Sequence, residues 1–429
     1  MSIEEIEARI SKLTADIELQ TEVLRQLHQL KSAALRELNN IRDPFSRLPL
    51  ELASQIFQYL LPKGPPKPDP RRAPMLLLNV CHRWTDMALS LPDLWAAIYF
   101  DLPRAQIMDC WLHRAGRYPL SIHLHTDLSP ELVFVMRQFA NQIQYLSLYQ
   151  EQFDARSIGS LGLLPNLEAM KVGALKIQDS EGYMNVSYSS SFVILKLLRL
   201  APNLQECIFD QDAKIGELVG DSEDEEEDGG LVPNLHTLKL GSPQSNSYSY
   251  GCQCDLRMLP YLTLPSLQTL HLTFSATSPA DLSSFLRRSS PPLHTLILAY
   301  DSQSAEFTDC LRLVPSLECL KLFVKLKFHH PFLLDIPPSA LSDSTLQLVP
   351  NLGTLEINSE CEYIAERCYA AFLRVLLSRR SKLLRASLTL HKRDDPEPDP
   401  AVYAGLQELA AEGMDIDLRS RNRQWFPLQ

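Results

Sequence analysis

The stretch VPNLHTLKL, residues 232–240, follows a pattern that returns many times between residues 142 and 390, P-x-L-x-x-L-x-L. Six further copies are LPNLEAMKV (164–172), APNLQECIF (201–209), LPSLQTLHL (264–272), PPLHTLIL (291–298), VPSLECLKL (314–322) and VPNLGTLEI (349–357). QIQYLSLY (142–149) and LLRASLTL (383–390) are looser copies. Alternation of apolar and other residues is the period of a β-strand, so the leucines are expected to face a core.

The spacing of the copies predicts a repeat architecture. Consecutive first leucines are separated by as few as 24 residues, from Leu293 to Leu317, and by as many as 37, from Leu167 to Leu204. The pattern resembles leucine-rich repeats, whose usual period is ~20 to 29 residues, and the irregular spacing implies an uneven arc with protruding loops. We predict an α/β fold in which residues 141–418 form an irregular leucine-rich-repeat solenoid with a parallel sheet on its concave face.

The period-two alternation also predicts which side chains line the concave face of that sheet. The residues that we assign to target binding are Lys239, His271, Ile297, Lys321 and Phe323. Lysine amines and neighbouring hydroxyls can together hold carboxylate or phosphate oxygens, which favours an acidic or phosphorylated protein partner. An ordinary solvated concave face explains the same pattern, and both interpretations remain open.

A different pattern occupies DPFSRLPLELASQIFQYLLP, residues 43–62. The helix predicted after Leu48 and Pro49 holds more apolar residues than one face of roughly 100° can hide. Pro49 suits the first turn of a helix, and Glu51 would lie near the positive end of the helix dipole. The surplus apolar surface must therefore be covered, either by the rest of the chain or by a partner.

The residues that follow predict a loop and then more helix. PKGPPKPDPRRAP, residues 62–74, contains six prolines and one glycine, which is typical of an extended, solvated loop. MLLLNVCHRWTDMALSLPDLWAAI, residues 75–98, has apolar residues at helical spacing, with Pro92 dividing it into two helices.

Together these segments resemble the F-box, a small helical motif, over residues 43–100. The residues that match its pattern are Leu48, Pro49, Glu51, Leu52, Ile56, Phe57, Leu60, Val80, Trp84, Leu94 and Trp95. WLHRAGRYPLSIHL, residues 111–124, is similar to the linker and first strand that follow the motif in many fungal F-box proteins. The resemblance implies that the matching residues bind a Skp-type adaptor and, through it, the cullin of a ubiquitin ligase.

The spacing of apolar residues within the first 42 residues predicts one long amphipathic helix. From Ile3 to Ile41, residues recur at the alternating three- and four-residue spacing of a heptad seam, which Gln20 and Lys31 interrupt. A homodimeric coiled coil through residues 3–41 explains this seam, and so does a helix folded back on the next domain.

Composition and charge exclude several classes of protein. The formal net charge is −11, and residues 221–228, a predicted disordered loop, contribute seven carboxylates. No basic stripe of the kind that binds nucleic acid stands out, and no apolar run reaches the ~20 residues of a membrane span. The opening residues lack the apolar core of a secretory signal. Nine scattered cysteines predict reduced thiols, and hence a cytoplasmic or nuclear location.

Motifs for catalysis, metals or cofactors are also missing. The sequence contains no phosphate-cradling glycine loop, no H-E-x-x-H and no G-x-S-x-G. Cys252 and Cys254 have no second ligand pair nearby, and His329-His330 has no acidic or cysteine partner at ligand spacing. We therefore predict no cofactor, no metal and no catalytic residue.

The predicted domains are a helix or coiled coil (1–42), an F-box (43–100), a linker with the first strand (101–140), the repeats (141–418) and a tail (419–429). The predicted function is that of a non-catalytic substrate-recognition subunit of a Skp-cullin-F-box ubiquitin ligase, with an unknown protein target. One alternative is a scaffold that acts outside any ligase. Another is a hydrolase or transferase built on a repeat fold.

Overall fold

The computed structural model describes most of the chain. It covers residues 3–42, 45, 48–150, 159–174, 195, 198–209, 230–240, 256–272, 279–300, 306–324, 348–359, 365–390, 397–420 and 423–426. The acidic run 221–228, Cys252, Cys254, His329 and His330 all lie outside the described residues.

The described residues form nine α-helices, of which the first is by far the longest. They are α1 (Ile3–Arg42), α2 (Leu50–Tyr59), α3 (His82–Leu89), α4 (Ala105–Arg114), α5 (Pro130–Gln138), α6 (Pro279–Ser289), α7 (Glu306–Arg312), α8 (Ala365–Ser378) and α9 (Pro400–Ala411). Shorter 3-10 helices cover Met75–Asn79, Pro92–Trp95 and Leu256–Tyr261.

The strands of the same residues are mostly parallel. They are β1 (Ala97–Phe100), β2 (Leu120–Leu124), β3 (Ile143–Gln150), β4 (Ala169–Ala174), β5 (Glu206–Phe209), β6 (Gly230–Leu231), β7 (Thr237–Leu240), β8 (Leu262–Thr263), β9 (Thr269–Leu272), β10 (Thr295–Tyr300), β11 (Cys319–Val324), β12 (Thr354–Ser359), β13 (Arg385–Leu390), β14 (Asp415–Ser420) and β15 (Gln424–Phe426). Thirteen of them form one sheet in the order β1-β2-β3-β4-β5-β7-β9-β10-β11-β12-β13-β14-β15, and β6 pairs with β8 separately. The predicted α/β class, long first helix and parallel sheet are confirmed.

Each copy of the repeated pattern supplies one strand of the sheet, with its leucines in register with those of its neighbours. Leu238 of β7 pairs with Leu270 of β9, which pairs with Leu296 of β10, and all three are buried. The first leucine of every copy is buried as well, namely Leu167, Leu204, Leu235, Leu267, Leu293, Leu317 and Leu352. The pattern forms a sheet because every strand adds to the same buried apolar rows.

Amide side chains join successive copies at the edge where the strands begin. The Asn166 side chain donates a hydrogen bond to the Asn141 carbonyl at 2.6 Å, and that of Asn203 donates to the Pro165 carbonyl at 2.8 Å. The asparagine before the first leucine therefore satisfies a backbone carbonyl of the preceding copy, which helps to fix the spacing between neighbouring strands.

The chain divides into two compact units. The first comprises residues 1–99 and 109–118, and the second comprises residues 100–108 and 119–429. The first unit therefore holds α1, α2 and α3, whereas the second holds the sheet from β2 onward.

Two tryptophans form the centre of the first unit. The rings of Trp95 and Trp111 meet edge to face with their centroids 4.9 Å apart, and both side chains are buried. The indole N–H of Trp95 donates to the Ala88 carbonyl at 2.9 Å, and that of Trp111 donates to the Trp95 carbonyl at 3.0 Å. These bonds join α3, the 3-10 helix after it and α4 through satisfied buried polar groups.

The proline-rich insert is mostly exposed, but part of it packs within the first unit. The Pro66 carbonyl accepts a hydrogen bond from the backbone N–H of Tyr99 at 2.8 Å, and Pro66 is buried. The amine of Lys67 lies 4.1 Å from the centre of the Tyr99 ring. The insert is therefore held by contacts with residues far away in the chain, which local composition does not reveal.

The predicted tail begins inside the sheet. The strand β14 runs to Ser420, and β15 turns back to pair with it antiparallel, with Leu418 opposite Phe426. The boundary predicted at residue 419 therefore falls within a strand.

Candidate functional site

The helix α2 begins at Leu50, one residue after the proline that the sequence predicts for its first turn. Pro49 is the N-cap residue, and its carbonyl accepts hydrogen bonds from the N–H groups of Leu52 and Ala53, both at 3.1 Å. Glu51 lies in the first turn, where a carboxylate is favourable near the positive end of the helix dipole.

One side of α2 packs into the first unit through aromatic contacts. Phe57 is fully buried, and its ring lies 5.1 Å from that of Trp84 and 5.8 Å from that of Phe45. Near the end of α2, the amide of Gln58 donates a hydrogen bond to the carboxylate of Asp93. These contacts determine which side of α2 faces outward.

The neighbouring side of α2 is apolar and exposed. Leu52, Ile56, Tyr59 and Leu60 occupy positions i, i+4, i+7 and i+8, which form one face of a helix. Their exposed fractions are 46%, 37%, 90% and 50% respectively. We call these four residues the α2 stripe. Clustered apolar surface of this kind is typical of an interaction site rather than of an ordinary solvated helix.

The other residues assigned to the adaptor divide between surface and core. Three of them are exposed, namely Pro49, Glu51 and Val80, and two are half-buried, namely Leu48 and Trp84. Phe57, Leu94 and Trp95 are at most 1% exposed. Because a fully buried side chain cannot reach a partner while the core stays closed, these three residues support the fold and do not themselves meet an adaptor.

Four of the five residues assigned to target binding form one continuous row across the sheet. Lys239 pairs with His271, His271 with Ile297, and Ile297 with Lys321. Phe323 follows two residues later on the same strand as Lys321 and is half-buried. The alternation in the sequence therefore predicts the row correctly.

The charges in this row are compensated within the protein. The Lys239 amine lies 3.1 Å from the Glu206 carboxylate on β5, and the Lys321 amine lies 2.8 Å from the Glu356 carboxylate on β12. The predicted basic centre is therefore two ion pairs flanking an uncharged middle. An anionic target would have to compete with Glu206 and Glu356 for the lysines.

His271 is buried, although the sequence predicts that it faces a groove. It is 2% exposed, and its Nε2 atom has no hydrogen-bond partner among the described residues. Burial lowers the pKa of His271 to about 4, with smaller contributions from the positive charges of Lys239 and Lys321. The imidazole is therefore neutral at physiological pH and contributes no charge to the row.

Burial of His271 predicts a loss of stability on acidification. The unfolded chain binds a proton at this histidine below its ordinary pKa of 6.5, whereas the folded protein does so only near pKa 4. The stability that the neutral, buried His271 contributes is therefore fully present above pH 6.5. It is lost as the pH falls from 6.5 towards the folded-state pKa of about 4. We expect the urea midpoint to fall between about pH 7 and pH 4.5, and His271→Leu to remove part of that fall.

The matched control for this experiment is His236→Leu, because His236 is only half-buried and lies just before β7 in the same sheet. The control should retain the full pH dependence. Equal slopes for the two variants would show that His271 does not carry the effect.

A second cluster on the same side of the sheet, at β2 to β4, was missed by sequence reasoning. The rings of His125 and Tyr149 stack with centroids 4.5 Å apart, and those of His123 and Tyr145 lie 4.8 Å apart. The Lys171 amine lies 5.5 Å from the centre of the Tyr149 ring. The alternation in SIHLHT, residues 121–126, is the signal that could have revealed it.

The geometry of this cluster is constrained from beneath. A Cβ atom at Gly173 would stand 2.5 Å from Cε1 of Tyr149, so the ring occupies space that only glycine leaves open. Burial lowers the pKa of His123, with help from His125 and Lys171. The cluster therefore presents stacked aromatic rings and a neutral His123 at physiological pH.

The described residues offer little for other chemistry. They contain no group of three or more histidine, cysteine or acidic residues that could hold a metal ion. None of the helices in the described ranges is long and apolar enough to cross a membrane. Four of their cysteines are free thiols, namely Cys81, Cys110, Cys207 and Cys319.

Comparison with known proteins adds no identification. No family model matches the chain, and no curated protein matches it.

Proposed function

We propose that the chain is a substrate-recognition subunit of a Skp-cullin-F-box ubiquitin ligase, in which the first unit docks on the Skp-type adaptor. The observation that carries this proposal is the α2 stripe, which lies beside the buried stripe of Ala53 and Phe57 on the same helix. A helix that buries one apolar side and exposes another is suited to a partner with an apolar groove.

The energetics favour a partner for this surface. Burying apolar area is worth about 25 cal/mol per Å², or ~1.5–3 kcal/mol for the full burial of one large side chain. The exposed fractions of Leu52, Ile56 and Leu60 are between 37% and 50%, so each has about half of that energy still to gain. Val80 is also exposed and belongs to the same sequence resemblance.

The second unit is proposed to present the target. Its parallel sheet, with one strand from each copy and continuous leucine rows, supports assignment as the concave face of an irregular leucine-rich-repeat solenoid. This face has two areas of different chemistry. One holds the paired lysines of β7 and β11, and the other holds the stacked rings at β2 to β4. A target that binds at Lys239 and Lys321 would carry carboxylates or phosphates able to replace the two glutamates.

The proposal assigns catalysis to other subunits and places the chain in the cytoplasm or the nucleus. Free cysteines among the described residues support a reducing compartment. The chain itself then contributes only binding, without a cofactor or metal.

Co-purification of the full-length chain tests this proposal. We expect both a Skp-type adaptor and a cullin to co-purify with it in stoichiometric amounts. Recovery of the adaptor without any cullin would support the scaffold alternative instead. Failure to recover an adaptor under conditions where the chain is folded would overturn both.

A further inference from the structure

The helix α1 carries a long apolar seam that neither the α2 stripe nor the sheet explains. The seam residues, which we call the α1 seam, are Ile3, Ile6, Ile10, Leu13, Ile17, Gln20, Leu24, Leu27, Lys31, Ala34, Leu38 and Ile41. The helix has 40 residues, so it is about 60 Å long and includes five heptads. The isoleucines and leucines of the seam are between 40% and 76% exposed.

On the opposite side of α1, polar side chains form hydrogen bonds with one another. Arg25 binds the Glu22 carboxylate through two nitrogens, at 2.6 and 2.7 Å, and the Gln26 amide donates to the same carboxylate at 3.0 Å. Beside the seam, the hydroxyls of Thr14 and Thr21 donate to helix carbonyls four residues earlier. The outer face therefore carries internally paired polar groups as well as the exposed Leu19, whereas the large apolar residues form a continuous row only along the seam.

We propose that the α1 seam pairs with the same seam of a second copy of this chain, as a parallel, in-register, two-stranded coiled coil. In heptad terms Ile3, Ile10 and Ile17 occupy a positions, and Leu13 and Leu27 occupy d positions. β-Branched residues at a with leucine at d favour parallel two-stranded coils over larger bundles. Leu24 and Leu38 at a, and Ile6 and Ile41 at d, depart from this arrangement, so the preference rests on the amino-terminal half of the seam.

The two polar seam positions are also compatible with this pairing, and Gln20 is self-complementary. In a parallel, in-register coil, each Gln20 faces Gln20 of the other copy, and an amide can both donate to and accept from an identical amide. Lys31 occupies an a position, where a single lysine fixes register and oligomeric state at some cost in stability. Folding α1 back on an apolar core would instead bury Gln20 and Lys31, each of which would then need a hydrogen-bond partner in that core.

The area available reaches about the lower limit for a specific dimer. At about 25 cal/mol per Å², full burial of a large apolar side chain removes ~60–120 Å² from water. Two copies of the seam, each roughly half exposed, could bury on the order of 1,000 Å², close to the lower limit for a specific interface. Under the function proposed above, pairing would give a bivalent receptor, but the pairing itself does not depend on that function.

The first test is the mass of the full-length chain in solution by light scattering. The wild type should have twice the mass of one chain, and Ile10→Asp with Ile17→Asp should halve it. The matched control is Ser11→Asp with Leu19→Asp, which adds the same charges outside the seam and should remain dimeric. A monomeric wild type, or a dimeric seam variant, would overturn the proposal.

The second test addresses orientation. In a parallel coil Ile6 lies beside Ile6 of the other copy, whereas in an antiparallel coil the two are about 50 Å apart. Mild oxidation of Ile6→Cys should therefore give a reducible covalent dimer that the wild type, with its native cysteines, does not form. A chain that is dimeric by light scattering but gives no such cross-link would refute the parallel arrangement.

Discussion

Under the proposed function, replacing Leu52 and Ile56 by aspartate should weaken the binding of a Skp-type adaptor by roughly 100-fold or more, which corresponds to about 2.7 kcal/mol. Both side chains belong to the α2 stripe and face solvent, so the change removes apolar contact area and would place two carboxylates in a desolvated interface. Because neither residue is buried, stability should change by no more than about 0.5 kcal/mol for each. Calorimetric titration of the full-length chain with purified adaptor measures the loss.

The chain offers a closely matched control. Phe134→Asp with Leu384→Asp also exchanges two exposed apolar residues for carboxylates, but in the second unit, where the exposed fractions are 65% and 74%. This variant should bind the adaptor as the wild type does. Equal affinities for the stripe variant and the control would mean that the α2 stripe is not the docking surface.

The fold could be predicted further than the site because its signal is repeated. Leu238, Leu270 and Leu296 stand in one buried row, and each of them follows a threonine and precedes another leucine by two residues. Period-two alternation therefore predicts both the strands and the side of the sheet on which each residue lies. The docking of the proline-rich insert was missed because the Pro66 carbonyl bonds to Tyr99, and no local pattern reports a pairing across 33 residues.

The site was harder to predict because it depends on neighbours from other elements. Lys239 and Lys321 read as a basic row in the sequence, yet each is paired with a glutamate from an adjacent strand. His271 occupies the predicted row but is buried, a property that alternation does not encode. On α2, Ile56 and Phe57 are adjacent and both apolar, so the sequence alone does not show which of them faces inward. The packing of Phe57 against Phe45 and Trp84 shows that it is Phe57.

Trp95→Ala should destabilise the first unit by about 3–5 kcal/mol, the usual cost of deleting a fully buried aromatic side chain. The substitution removes the ring that meets Trp111 at 4.9 Å and leaves the Ala88 carbonyl without its indole donor. It also removes the surface over which the Arg114 guanidinium lies, 4.5 Å from the ring centre. Against a typical domain stability of about 5–15 kcal/mol, this loss is large.

Comparison with Tyr59→Ala separates folding from docking. Tyr59 is 90% exposed on the α2 stripe, so its removal should change stability by no more than about 0.5 kcal/mol while still weakening the adaptor complex. Trp95→Ala should lower adaptor binding only through unfolding, so that affinity recovers when the temperature is reduced far enough for the first unit to refold. Urea unfolding followed by circular dichroism, with titration at two temperatures, distinguishes the two effects.

A Trp95→Ala chain that is as stable as the wild type would show that the core of the first unit does not depend on this tryptophan. If that stable variant also lost affinity for the adaptor, Trp95 would belong to the interface.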